Sequence, residues 1–272
     1  MVKSFFSICL MLITAFLISS TPVLASSKQV AIIIDDFGGE VKGVEQFLTG
    51  DIPITAAIMP FLDQAQEQDK LASEHGLEVI IHLPLEPKVG KKSWLGPNPI
   101  TSDLSDDEIN HRLNQALERV PHAKGLNNHM GSKGMEDKRI VTLIVQFAKR
   151  NGLYLLDSGT TPKSLMPEIA NQYLVPCFKR TLFIDDSLSS YSYVKKQLQT
   201  FMETTDRHEY PIAIGHVGVK GNETYNALKE SKRLFSEANI TLVYPSQWIA
   251  PQVEKDFKQL HVKKENHYVT TF

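Results

Sequence analysis

Cysteine is scarce in this chain of 272 residues, which contains only Cys9 and Cys177. Cys9 lies in a segment that we expect to be removed, so Cys177 remains without a partner for an internal disulfide. An excess of basic charge is absent as well. Lys and Arg number 29 against 31 Asp and Glu, and this balance argues against nucleic acid as a partner. The fold must therefore be held together by its hydrophobic core.

Long apolar runs are absent after the first 25 residues, so no later segment is expected to span a bilayer. At the start of the chain, Lys3 precedes an apolar stretch over residues 5–18, and residues 23–25 form a small-residue cleavage pattern. The stretch is shorter than the ~20 residues that a spanning helix needs. We interpret residues 1–25 as a secretory signal peptide, with a permanent anchor as the alternative. The protein is thus expected to be secreted into an extracytoplasmic compartment, the cell envelope.

The remaining sequence alternates between short runs rich in Val and Ile and segments with helical periodicity. This alternation indicates βα units and a parallel sheet, and about 250 residues is the usual size of one α/β barrel domain. We predict a single barrel domain over residues 26–250, followed by a short helix and a polar tail over residues 251–272. The predicted strands span residues 30–34, 54–58, 77–81, 125–127, 153–156, 181–184, 212–215 and 240–244.

Acidic and imidazole side chains follow nearly every predicted strand. They are Asp35 and Asp36, His82, His129, Asp157, Asp185 and Asp186, and His216. The carboxyl ends of the strands of a parallel barrel converge on one face, where active sites are built. Helix capping accounts for one such residue, but residues of this kind at the ends of six strands point to a common site. Asp185 and Asp186 remain open to a purely capping role.

Asp35 and Asp36 are adjacent carboxylates at the end of the first strand. Two like charges this close stay ionised only when a cation or a proton is shared between them, which favours a metal ligand beside a general base.

A long loop is predicted over residues 84–103, because repeated Pro and Gly residues interrupt any regular element there. Loops of this length tend to be functional. Its Trp94 is suited to stacking on a sugar ring, or to covering the core.

Six motifs distributed over residues 29–248 occur together. They are Ile34-Asp35-Asp36-Phe37-Gly38, His82-Leu83-Pro84-Leu85-Glu86-Pro87, Asn127-Asn128-His129-Met130-Gly131-Ser132, Leu156-Asp157-Ser158, Phe183-Ile184-Asp185-Asp186 and Ala213-Ile214-Gly215-His216. As a set they resemble the divergent polysaccharide deacetylase family of the polysaccharide deacetylase superfamily. The resemblance implies a distorted parallel (β/α) barrel with seven or eight strands.

The resemblance also implies a divalent metal ion, which we expect to be zinc, held by one aspartate and two histidines. By position Asp36 matches the ligand aspartate, and Asp35 matches the general base. His82 matches the first ligand histidine, whereas Glu86 stands where relatives have the second. We therefore expect His129 to supply the second imidazole, with Glu86 as the alternative.

His216 matches the histidine that acts as general acid, and Asp157 is expected to orient an imidazole of the site. The metal would lower the pKa of a bound water, and Asp35 would take the proton as that water attacks an N-acetyl carbonyl. We predict a secreted hydrolase that deacetylates an N-acetylated glycan of the cell envelope. The alternatives are a non-catalytic glycan-binding or regulatory envelope protein, and a metallohydrolase acting on another bond, such as a phosphoester.

Overall fold

A computed structural model describes residues 27–186 and 188–249, and seven complete α-helices within them flank one nine-stranded sheet; residues 246–249 are helical as well. The strands are β1 (Lys28–Phe37), β2 (Thr55–Ile58), β3 (Glu78–Leu85), β4 (Ala123–Met130), β5 (Tyr154–Asp157), β6 (Cys177–Lys179), β7 (Leu182–Phe183), β8 (Ile212–His216) and β9 (Ile240–Leu242). The helices are α1 (Val44–Thr49), α2 (Ala65–Glu74), α3 (Asp106–Arg119), α4 (Lys138–Asn151), α5 (Met166–Tyr173), α6 (Tyr191–Thr204) and α7 (Gly221–Glu237). The predicted signal peptide and C-terminal tail lie outside the described residues.

The strands are hydrogen-bonded in the order β6-β5-β4-β3-β2-β1-β8-β7, and β9 pairs with the beginning of β1. Every pair is parallel. Among the described residues, the end strands β6 and β7 do not pair with each other, so the curled sheet stays open between them. The expected distorted parallel (β/α) barrel is confirmed. No described helix is long and apolar enough to cross a membrane.

Side chains along the strands alternate between two apolar clusters. One cluster fills the barrel interior and includes Ile33, Ile80 and Ile214. The larger cluster lies between the sheet and the helices and includes Ile34 and Ile81. Successive residues of a strand point to opposite faces. A residue two positions after an interior side chain therefore faces the interior again, and this rule decides which polar residues meet.

The loop predicted over residues 84–103 begins later than expected. Strand β3 continues to Leu85, and Ile100 returns to form a parallel bridge with Leu85. The backbone amide of Ile100 donates to Pro84 at 2.8 Å, and that of Glu86 donates to Ile100 at 2.9 Å. The loop is therefore closed at its base by strand-like pairing, which keeps residues 86–99 near the carboxyl end of the barrel.

Candidate active site

The inner face of the barrel carries most of the predicted site residues at the carboxyl ends of its strands. Asp35, His82 and His216 each follow an interior apolar residue by two positions, so alternation turns all three side chains toward the barrel axis. The register places Asp35 opposite His216 on β8, and His82 opposite Asn127 on β4. His129 follows Asn127 by two positions and shares its face.

Asp36 reaches this site through a β-bulge in β1. Between Ile34 and Phe37 the pairing of β1 with β2 shifts by one residue, and Asp36 has a φ angle of 70°. A left-handed backbone is uncommon for a residue with a side chain, and such conformations concentrate at functional sites. The extra residue re-aims Asp36, which simple alternation would point away from Asp35.

Asp36, His82 and His129 bring three ligand-type atoms together. Asp36 Oδ1 lies 3.0 Å from His129 Nδ1 and 3.2 Å from His82 Nε2. The two nitrogens are 3.1 Å apart. Atoms that all bind one tetrahedral zinc ion at ~2.1 Å lie about 3.4 Å from each other. The observed triangle is thus slightly smaller than the ideal one, and a small outward movement of the three atoms would fit a zinc ion between them. The triangle consists of the three residues expected from the sequence.

The outer nitrogens of both imidazoles donate hydrogen bonds away from this triangle. His82 Nδ1 donates to the side-chain oxygen of Asn127 at 2.7 Å, and His129 Nε2 donates to the carbonyl oxygen of Trp94 at 2.9 Å. A carbonyl oxygen only accepts, so each of these nitrogens carries the ring proton. His82 Nε2 and His129 Nδ1 then face Asp36 with lone pairs. Such second-sphere partners typically orient metal-ligating histidines.

The charges at the site fit a divalent cation. The buried Asp36 Oδ1 accepts no hydrogen bond from the described residues. Burial would raise the pKa of Asp36, but His129 and His82, when protonated toward it, hold that pKa well below its usual range. Burial also opposes protonation of His82, yet Asp35 and Asp36 raise the His82 pKa. Three converging electron-pair donors thus attract positive charge, which a metal ion supplies without a proton.

Glu86, the alternative ligand, points elsewhere. Its Oε1 accepts from Lys133 Nζ at 2.8 Å, and its Oε2 accepts from the backbone amide of Ser102 at 2.8 Å. Both oxygens are therefore engaged in holding the loop. Of the two residues that the sequence left open, His129 is the one that the structure brings to Asp36 and His82.

His216 lies across Asp35 from the metal-type triangle and is oriented by Asp185. Its Nδ1 donates to Asp185 Oδ1 at 2.7 Å, and its backbone amide donates to Oδ2 at 3.0 Å. Thr224 Oγ1 also donates to Oδ2, at 2.6 Å. Burial lowers the pKa of His216, but the hydrogen bond and charge of Asp185, aided by Asp36 and Asp35, raise it to about 9. His216 is thus an imidazolium at neutral pH.

Asp157 does not orient an imidazole among the described residues. Leu156 faces the barrel interior, so the next side chain on β5 turns to the other face. Asp157 Oδ1 accepts from the backbone amide of Gly159 at 2.8 Å. The contact expected of Asp157 is made by Asp185 instead, while Asp186 accepts from the amide of Leu188 and shapes the turn before α6.

Comparisons with known proteins place this chain in a family. The profile of the divergent polysaccharide deacetylase family matches residues 32–249. This chain belongs to that family. It is 32% identical over 252 residues to the uncharacterized protein YibQ of Escherichia coli (strain K12), an alignment that covers 89% of this chain and 77% of YibQ. The family resemblance inferred from the six motifs is confirmed.

Solved structures show the same fold at low sequence identity. The uncharacterized protein ATU2773 from Agrobacterium tumefaciens C58 superposes with a TM-score of 0.75 at 19% identity, over 82% of this chain and 90% of that one. The family 4 carbohydrate esterase from Streptomyces lividans, solved with acetate, gives a TM-score of 0.53 at 10% identity, over 81% and 94% of the two chains. These likenesses support the barrel fold.

Two residues of the site were not assigned from the sequence. Asn127 hydrogen-bonds to Asp35 and His82, and Asp185 holds His216. The alternation of side chains along each strand could have identified both residues. Asn127 precedes His129 by two positions and so shares its face, and Asp185 follows Phe183, which packs against the interior cluster, by two positions.

Proposed function

We propose that this protein is a metal-dependent hydrolase that removes acetyl groups from an N-acetylated glycan of the cell envelope. The observation that carries the proposal is the meeting of three ligand-type atoms with a carboxylate and an imidazolium on one barrel face. Asp36, His82 and His129 would hold the ion. When bound, a divalent ion would supply Lewis acidity, which activates water and polarises a carbonyl group.

The other side chains divide the proton transfers between them. Asp35 is 2% exposed, and burial raises its pKa despite the opposing charges of His82 and His216. A carboxylate in this setting acts as a general base that takes a proton from the attacking water. His216, protonated through Asp185, then gives a proton to the nitrogen as the carbon–nitrogen bond breaks. The products are acetate and a free amine.

The surroundings of the site favour an extended substrate. A cleft of about 480 Å³ beside Asp36 and His216 is also lined by Phe183. A second, more open groove of about 770 Å³ adjoins it, since Gly218 and Val219 line both. Adjoining grooves suit a chain of sugar units, with one unit at the reacting centre. Acetate, the expected product, is also the ligand of the Streptomyces lividans esterase.

We also propose that the protein acts outside the cytoplasm. The support is the sequence of residues 1–25, with one basic residue, an apolar stretch and a small-residue cleavage pattern. A fusion of residues 1–25 to a reporter enzyme that is active only outside the cytoplasm tests this part. Reporter activity in the producing cells is expected, and its absence would show that the segment does not direct export.

Acetate release from a panel of N-acetylated glycans tests the proposed reaction. The zinc-loaded protein is expected to release acetate, and Asp35→Asn to release it at least ~100-fold more slowly, because general bases contribute about 10²–10⁴-fold. Asp63→Asn, at an exposed position, is the control and should match the wild type. A zinc-loaded wild type that releases no acetate from any glycan would instead support the non-catalytic binding protein.

A further inference from the structure

Asn127 connects the two halves of the proposed mechanism. It lies on β4 and is fully buried. Its Nδ2 donates to Asp35 Oδ1 at 2.8 Å, and its Oδ1 accepts from His82 Nδ1 at 2.7 Å. One amide therefore contacts both the proposed base and a proposed metal ligand, while the imidazole and carboxylate themselves are 3.7 Å apart.

An amide has the donor and acceptor pattern that this position needs. A carboxylate at residue 127 would present two acceptors, and an aliphatic side chain would present none. The carboxylate of Asp35 requires a donor, so the NH₂ group of Asn127 faces it and the amide oxygen faces His82. The ring proton of His82 must then reside on Nδ1, which leaves the Nε2 lone pair directed at Asp36 and His129.

We propose that Asn127 is a positioning residue that fixes the metal-binding tautomer of His82 and holds the carboxylate of Asp35 beside the ion site. The proposal rests on the proposed function, because it assigns a role toward the same metal centre. Asn127 contributes none of the three ligand-type atoms and contacts His82 and Asp35 instead. Its effect is to keep the ligand lone pair and the base in fixed positions relative to each other.

Asn128 provides a matched control. It is the adjacent residue, of the same type, and 1% exposed. Its Oδ1 accepts from the amide of Ser158 at 3.0 Å, and its Nδ2 donates to the carbonyl of Met130 at 2.7 Å. These bonds hold neighbouring loops and reach none of the proposed ligands. A purely structural role of buried amides on β4 would therefore affect both positions alike.

Zinc affinity of the full chain, measured by competition with a chromogenic chelator, tests the proposal. Asn127→Leu is expected to bind zinc about 10- to 100-fold more weakly, the usual cost of losing a second-sphere partner. Asn127→Asp keeps an acceptor for His82 and should stay within about threefold of the wild type. Its acetate release should fall, because a negative group replaces the donor to Asp35. Asn128→Leu should also stay within about threefold.

Equal zinc affinity of Asn127→Leu and the wild type would overturn the proposal, as would equal losses in Asn128→Leu or in Asn127→Asp. If Asn127→Leu does not fold, ¹⁵N NMR of the wild type decides, because it reports which nitrogen of His82 carries the proton. A proton on Nδ1 supports the proposal and one on Nε2 contradicts it. If zinc binding depends on Asn127 but the wild type releases no acetate, the proposed hydrolysis is refuted and the role of Asn127 stands. If the wild type binds no zinc, the proposed function and the role of Asn127 are both refuted.

Discussion

The site has two sides, the metal side with His82 and the opposite side with His216, and the two histidines make the same kind of hydrogen bond to different partners. His82 and His216 each donate from Nδ1 to a side-chain oxygen at 2.7 Å. The acceptor is the neutral amide of Asn127 on one side and the carboxylate of Asp185 on the other. The amide of Asn127 fixes the tautomer of His82 without adding a charge, whereas the carboxylate of Asp185 also raises the pKa of His216, which suits a proton donor. The partners at Nδ1 thus differ in charge, in keeping with the different roles proposed for the two histidines.

Removing the imidazole from the metal side should have the largest effect. His82→Ala is expected to weaken zinc binding by more than about 100-fold, since even second-sphere partners are worth about 10- to 100-fold. Acetate release should be lost with the metal. Zinc titration followed by calorimetry measures the change. His111→Ala, at an exposed position on α3, is the control, and undiminished affinity in His82→Ala would remove His82 from the ligand set.

Removing the imidazole from the other side should separate the two roles. His216→Ala is expected to lower acetate release by about 10²–10⁴-fold, the usual contribution of a general acid. Zinc affinity should stay within about threefold of the wild type, because His216 lies outside the triangle of ligand atoms. Parallel kinetic and zinc-binding measurements make the comparison. A variant that loses the metal together with the activity would show that the two sides are one site.

Neutralising the partner of His216 should have a smaller, pH-dependent effect. In the wild type, activity should fall as the pH rises through about 9, where His216 loses its proton. Asp185→Asn should move this fall toward about pH 6.5, the ordinary value for histidine, so that the loss at pH 8 is about 10- to 100-fold and recovers on acidification. The pH profile of kcat measures the shift. Asp63→Asn, at an exposed position, is the control, and an unshifted profile in Asp185→Asn would contradict the assignment.

Thr224→Val should have the smallest effect. The hydroxyl group is one of the donors to Asp185 Oδ2, which keeps its bond from the backbone amide of His216. The free energy of unfolding should fall by about 1 kcal/mol, and the alkaline limb of the pH profile should move by less than about one unit. Urea unfolding and the same kinetic profile measure both. A shift as large as that of Asp185→Asn would mean that Thr224, rather than the charge, controls His216.

Much of the fold could be predicted because its signals are local. The eight predicted strands all correspond to observed strands. Ser105 with Glu108 three residues later is a local signal for the start of a helix, and Ser105 Oγ accepts from the amide of Glu108 where helix α3 begins. Strand β6 was missed because it is only three residues long and follows Pro176, too short for its pattern to stand out. The site residues were located at strand ends, but strand ends alone do not say which face a side chain takes.

The face of the strand to which a side chain points explains the remaining differences between the predicted and the observed site. Asp157 follows an interior residue directly and so turns away from the imidazoles, which alternation along β5 would have indicated. Asp36 should turn away by the same rule, and only the bulge brings it back. A bulge depends on how two strands pair, which a single sequence does not state. The choice of His129 over Glu86 likewise depends on Lys133 and Ser102, which engage Glu86 from other loops.

The central claim is that one ion is held by atoms from three different strands. A crystal structure of the zinc-loaded protein, with anomalous diffraction measured at the zinc edge, tests it most directly. We predict a single strong peak at about 2.0–2.2 Å from Asp36 Oδ1, His82 Nε2 and His129 Nδ1. A site without a peak at these atoms, or a zinc ion bound through Glu86 in place of His129, would contradict the account.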